Sequence, residues 1–442
     1  MKRIIFAAVI AMHLAFGGIM MMPGFRPTLQ ATAAHTATPV IFWSNEARRA
    51  IVPAGPNGIF GLENYGNKFP GEAAIYMGIV HAAIYDAAVA IEGGYDPYAI
   101  ALTAPDGTSP EAAIATAAHH VLIGLQPALG LMDEQQRFLT DRYTTYLETV
   151  PDGAAKETGI AIGTQVATAV LALREDDGRG RNPLLSDLNP PPPGPGVWDE
   201  GSNPAVGLRV PGIRPLALQS GAQFRPDGPN PLASVEYASD FQQVARLGRV
   251  DSAVRRKKQT TQALFWTDHD LRQWNDGMLK LADHRGLDLV QTARMLAMAH
   301  AAGGDAMIAC FDAKYTYWFW RPHQAIPRAD EDPNAATVAD PSWRPLRTTP
   351  NFPEYPSAHA CHTTAVAEAL QAFFGTDQVS FSLDSRATGT KRSYRGFHDA
   401  VRDVNSARVL VGFHFLNSDQ EGSNLGRTVG RYVVAHRFTP LD

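Results

Sequence analysis

The hydrophobic pattern is helical almost from end to end. Glu72 to Ile91 is apolar on nearly every face, which predicts a helix buried in a core, with His81 packed inside it. Ser109, Pro110 and Glu111 read as a cap followed by proline at the first helical position, opening a helix to about Leu125 with His119 and His120 as packing or surface residues. Met132 to Val150 is amphipathic. Lys156 to Arg174 is rich in Ala, Gly and Thr, which lets helices approach closely. A shorter helix is expected over Asn45 to Val52. Helical patterning returns at Val235, and Leu287 to Lys314 reads as one long helix whose Gly303 and Gly304 imply close packing or a kink. No alternating strand series and no fixed-period repeat is evident. The expected fold class is all-α, built of helical bundles.

Between 176 and 234 the composition changes. Pro190 to Pro193 is an unbroken proline run, and Gly and Pro recur as far as Pro231. This reads as a long irregular segment, either a lid or functional loop or else a surface wrapper. The expected organisation is a signal peptide over 1–34, an N-terminal bundle over 35–175, the irregular segment over 176–234, and a C-terminal bundle over 235–442.

The signal peptide rests on Lys2 and Arg3, an apolar run to about Met22, and Ala31 and Ala33 placed as at a signal-peptidase site. An uncleaved anchor is the other reading of that run. No later segment is expected to span a membrane, so the mature protein is expected to be exported, periplasmic or secreted. The chain's 442 residues are 45% hydrophobic and carry a formal net charge of −5, which gives no reason to expect a nucleic-acid partner. Two cysteines, Cys310 and Cys361, are too few for a disulfide framework. They read either as buried thiols or as one pair.

Three stretches carry candidate chemistry. In Glu354 to His362, Pro356 and Ser357 predict a helix start with His359 in its first turn, and a helix start offers unpaired N–H groups and a positive dipole end to an anion. In Lys314 to Pro322, a continuous helix would set Lys314 and Arg321 roughly 20° apart on one face. Two cations among five aromatics need an anionic partner, either carboxylates elsewhere or a bound oxyanion. In Arg408 to His414, a continuous helix would separate the two ends by about 120°, but Gly412 permits a break that turns His414 back. Ser418 to Glu421 resembles a capping box opening the next helix. Three cations, a helix start and two histidines suit a tetrahedral or trigonal-bipyramidal oxyanion.

These residues resemble the three-part signature of the vanadium-dependent haloperoxidases and the type 2 phosphatidic acid phosphatases. Lys-x6-Arg-Pro is matched in full by Lys314, Arg321 and Pro322. Pro-Ser-Gly-His is matched by Pro356, Ser357 and His359, with Ala358 in place of Gly. Ser-Arg-x5-His is matched by Arg408 and His414, with Ala407 in place of Ser. Alanine keeps the backbone N–H at 358, whereas Ala407 lacks a hydroxyl. The resemblance implies the helical-bundle fold of that superfamily, with the active site in the C-terminal bundle and vanadate as cofactor. It implies His414 as axial vanadium ligand, His359 as acid–base residue, and Lys314, Arg321, Ser357, Ala358 and Arg408 as holders of the oxygens. Phe311 and Phe352 would line the halide side. Hydrogen peroxide, halide and a small organic acceptor are the implied partners. Two other readings stand beside it. One is an exported phosphatase of the same superfamily, with phosphate in the pocket and His414 as nucleophile. The other is a helical binding or structural protein whose cations are paired internally.

Overall fold

Residues 35–54 and 64–441 are described by the structure, a computed structural model. The signal-peptide reading of residues 1–34 lies outside the described residues. The helices are α1 (Thr38–Ile51), α2 (Pro70–Glu92), α3 (Pro110–Gly124), α4 (Asp133–Glu148), α5 (Ala154–Leu173), α6 (Val235–Leu247) and α7 (Lys257–Phe265), followed by α8 (Asp270–Arg285), α9 (Leu289–Tyr317), α10 (Pro322–Ala325), α11 (Ala358–Phe374), α12 (Phe397–Leu410) and α13 (Leu416–His436).

The two apolar helices α2 and α9 pack against each other at the centre. Alpha2 is the one described helix long and apolar enough to cross a membrane, yet 94% of its apolar window is buried within the protein. It is therefore a core helix, as its all-round apolar pattern requires. Alpha9 begins at a reciprocal cap, in which Asp288 accepts the Gln291 N–H at 2.8 Å and Gln291 accepts the Asp288 N–H at 3.2 Å. At the start of α3, the Ser109 hydroxyl accepts the Ala112 N–H. Alpha1 is longer than the sequence pattern suggests, because Val40 to Trp43 also pack against the core.

The proline-rich stretch carries only two short 3₁₀ turns, Leu185–Leu188 and Val210–Gly212. Its anchor is a carboxylate within α9. Asp305 is fully buried and accepts the N–H groups of Leu216, Ala217 and Leu218 at 2.6, 2.8 and 2.9 Å. Such charge-assisted bonds are worth more than neutral ones, and removing the acceptor strands three donors in the core. Asp305→Ala should therefore lower unfolding stability by about 3 kcal/mol, read as a lower urea midpoint. An unchanged midpoint would mean that the segment is held by something else.

Two local expectations are corrected. The chain is mostly helical, but Phe381–Ser385 and Thr390–Tyr394 form an antiparallel hairpin pairing Phe381 with Tyr394 and Ser385 with Thr390. Only Leu383 and Ser385 of the first strand and Tyr394 of the second are buried, so the alternation was too short to stand out. Alpha13 begins at Leu416 and not at a Ser418 cap, because the Ser418 hydroxyl is drawn to the Glu354 carboxylate instead.

A stripe of glycines brings the third motif to the second. Gly422, Gly426 and Gly430 recur every four residues on α13, facing α11. A Cβ on them would lie 2.7, 2.3 and 2.9 Å from the carbonyl oxygens of Ser357, Cys361 and Ala365. Only without side chains there can α13 lie this close along α11. The corner between α12 and α13 is thereby set against the first turn of α11.

Candidate active site

Breaks between helices place Arg321 and His414. Alpha9 ends at Tyr317, and Trp318 takes a left-handed conformation at φ 53°. Arg321 is thus not on the same helical face as Lys314; it stands at the start of α10. The two cations still converge, because both lie over the Phe352 ring, Lys314 Nζ at 5.0 Å and Arg321 Cζ at 4.7 Å from its centroid. Gly412, at φ 83°, ends the α12 segment and turns the chain so that His414 reaches back into the protein. A Cβ on Gly412 would also lie 2.6 Å from the Gly248 carbonyl oxygen.

His414 is buried and bound on both ring nitrogens. Its Nδ1 lies 2.9 Å from Glu354 Oε1, and its Nε2 lies 3.0 Å from Arg321 Nη1. A guanidinium can only donate, so Nε2 carries the lone pair and Nδ1 the hydrogen. Burial, then Arg321, Lys314, Arg408 and His359, hold this imidazole well below its ordinary pKa, so it is neutral. Glu354 also accepts the Phe415 N–H at 2.9 Å and the Ser418 hydroxyl. Burial pushes the Glu354 carboxyl up to about 7, against the opposing pull of Arg321, Ser418, Lys314 and the Phe415 N–H.

The remaining groups surround that nitrogen. Arg321 donates Nε to the Phe352 carbonyl at 2.9 Å and Nη1 to the Phe413 carbonyl at 3.1 Å, while its Nη2 is buried without a partner. Arg408 donates Nη1 to the Trp266 carbonyl at 2.7 Å, and its Nε is likewise without a partner. Ser357 is the N-cap of α11, but its hydroxyl makes no cap bond and is also an unpartnered buried group. Ala358 opens the helix, whose first N–H groups have no partner within it. His359 is half-buried, with its Nε2 unpartnered. Burial, then Arg408, bring its pKa down to about 3 despite Asp270. Buried polar groups are rarely left unpaired, and three such donors, with the free His359 nitrogen beside them, around one lone-pair nitrogen fit a bound oxyanion.

Lys314 is placed differently. Its ammonium donates to the carbonyls of Pro353, Glu354 and Pro356 at 2.9, 2.8 and 2.5 Å. All three protons thus brace the loop that leads into Ser357. Burial lowers this amine to about 8. Phe311 and Phe352 meet at a tilt with ring centroids 5.1 Å apart, and Phe69 adds a third ring 5.5 Å from Phe311. His362 is buried 3.2 Å from Asp270, and burial lowers His323, beside Arg321, to about 4.

Residues 294–441, which hold every residue of the three motifs, match the family described as the VCPO second helical-bundle domain. The three motifs thus lie within a bundle similar to that domain family. The fold is that of solved vanadium haloperoxidases. A bacterial vanadium-dependent iodoperoxidase is 21% identical, with a TM-score of 0.71, over 93% of this chain and 99% of that one. The holo-type bacterial vanadium-dependent chloroperoxidase is 13% identical with a TM-score of 0.65, over 91% of this chain and 98% of that one. The apo-type chloroperoxidase is 15% identical with a TM-score of 0.62, over 83% and 94%. No curated protein matches.

Around the site, three carboxylates stand out that motif reasoning passed over. Glu354 opens the very stretch that holds Ser357 and His359. Asp419 follows His414 by five residues, is fully buried with both oxygens unpartnered, and faces Arg408 and Ser357. Asp270 lies beside His359 and His362. A carboxylate in an apolar stretch was the available signal for Glu354; Asp270 had none.

Proposed function

We propose that the protein is a vanadate-dependent haloperoxidase that oxidises halide with hydrogen peroxide to hypohalous acid. The observation that carries this reading is the set of unpartnered buried donors on Arg321, Arg408 and Ser357, with the unpartnered His359 Nε2 beside them, around His414 Nε2. The donor set suits an oxyanion, since the site offers cations, N–H and O–H groups and one imidazole nitrogen. When bound, vanadate would supply Lewis-acid activation of peroxide. His414 would hold it, with Arg321, Arg408, Ser357 and the Ala358 N–H on its oxygens. His359, neutral at Nε2, would take a proton from incoming peroxide and return it to the departing oxygen. Lys314 supplies positive charge and holds the 353–356 loop. Phe352, Phe311 and Phe69 exclude water on the side where halide would approach. The names of the similar solved structures, an iodoperoxidase and a chloroperoxidase, favour this reaction over the phosphatase reading. Residues 1–34 fit export of the chain.

Glu354 should act as the positioning residue for His414. Partners that orient a ligating histidine are typically worth about 10–100-fold in affinity. Glu354→Gln should thus weaken vanadate retention by about that factor while the protein stays folded, and unaltered retention would remove Glu354 from the site. The reaction itself is tested by assaying bromide and iodide oxidation with orthovanadate and peroxide, alongside phosphate ester hydrolysis without vanadate. Halide oxidation supports the proposal. Hydrolysis without halide oxidation would replace it with the phosphatase reading.

A further inference from the structure

Cys310 and Cys361 are the only cysteines in the chain, and both are fully buried and free. They lie on different helices, α9 and α11, which cross closely. At that crossing a Cβ on Gly303 would come 2.8 Å from His362 Nε2. Cys310 follows Gly303 by two helical turns on the same face, and the Cys361 side chain lies within hydrogen-bonding reach of it.

Both are tied to the site. Cys310 Sγ donates to the Pro356 carbonyl at 3.5 Å, the same oxygen that accepts Lys314 Nζ. The Cys361 N–H donates to the Ser357 carbonyl at 3.0 Å. A covalent bond between the sulfurs would fasten the helix bearing Lys314 to the helix bearing Ser357 and His359.

We infer that Cys310 and Cys361 form a peroxide-driven disulfide that staples α9 to α11 beneath the oxyanion socket. The Cys310 thiolate attacks one oxygen of hydrogen peroxide, so an S–O bond forms, the O–O bond breaks, and hydroxide leaves as water after taking the thiol proton. The Cys361 sulfur then attacks the sulfenic sulfur. An S–S bond forms, the S–O bond breaks, and a second water leaves with the Cys361 proton. Two thiols lose two electrons, and one peroxide becomes two waters. The roles are unequal. Burial opposes ionisation of Cys310, but the Cys361 thiol, Lys314 and Arg321 outweigh it, whereas burial pushes Cys361 well up. Cys310, which shares the Pro356 carbonyl with the Lys314 ammonium, is the attacking thiol and Cys361 the resolving one.

The test uses the full chain, reduced, free of vanadate and halide, so its outcome is independent of the haloperoxidase proposal. Hydrogen peroxide is added, and intact mass and thiol alkylation are read under denaturing conditions. The expected result is a loss of about 2 Da, no alkylation until a reductant is added, and a cross-linked peptide containing Cys310 and Cys361. Cys361→Ser should instead gain about 16 or 32 Da at Cys310. Two alkylatable thiols in the treated wild-type protein, or gain of oxygen in place of loss of hydrogen, would overturn the inference. The wild-type peptide map reads the answer even if the variant fails to fold.

Discussion

His414→Ala should abolish vanadate retention, with affinity falling by roughly 100-fold or more. The imidazole presents its Nε2 among Arg321, Arg408, Ser357 and His359, with the Glu354 carboxylate fixing Nδ1 behind it. Alanine removes the imidazole whose Nδ1 the Glu354 carboxylate orients. It leaves Glu354 with the Phe415 N–H and the Ser418 hydroxyl, so the corner between α12 and α13 should persist. Vanadium content after gel filtration, set against the melting curve, is the appropriate measurement. A folded variant that retains the wild-type vanadium content would remove His414 as the ligand.

His359→Ala should separate binding from turnover. His359 stands in the first turn of α11 with an unpartnered Nε2, and burial together with Arg408 keeps it neutral and ready to accept a proton. General acid–base catalysis of this kind is worth about 10²–10⁴-fold. The variant should therefore hold vanadate within a few-fold of wild type, because Arg321, Arg408 and His414 are untouched, and lose halide oxidation by that factor. Rates close to wild type would take the acid–base role away from it. Loss of vanadium together with activity would instead make His359 a holder of the anion.

Much of this was legible in the sequence because helix signals are local. The Ser109 cap, the all-apolar face of α2 and the Pro356–Ser357 helix start each need only a few residues to be read. The candidate site residues were nameable from the sequence because their motif spacings match a known signature. Long-range chemistry was not. The left-handed Trp318 breaks the helix that would have aligned Lys314 with Arg321, yet packing on Phe352 brings the two cations together by another route. Glu354, Asp419 and Asp270 reach the site through packing that no spacing rule encodes. The paired-cation reading was partly right in kind, since three buried carboxylates do surround the cations. None of the three cations, however, makes an ion pair within 4.0 Å among the described residues. Lys314 is satisfied by carbonyls, and Arg321 and Arg408 each keep a buried donor free.

The most direct measurement is a crystal structure of the protein soaked with orthovanadate, with the metal located by anomalous scattering. Vanadium bonded to His414 Nε2, with Arg321 Nη2, Arg408 Nε and the Ser357 hydroxyl on its oxygens, is the predicted result. Vanadium bound elsewhere, or Arg321 and Arg408 closing onto Glu354 and Asp419 with no anion between them, would contradict it.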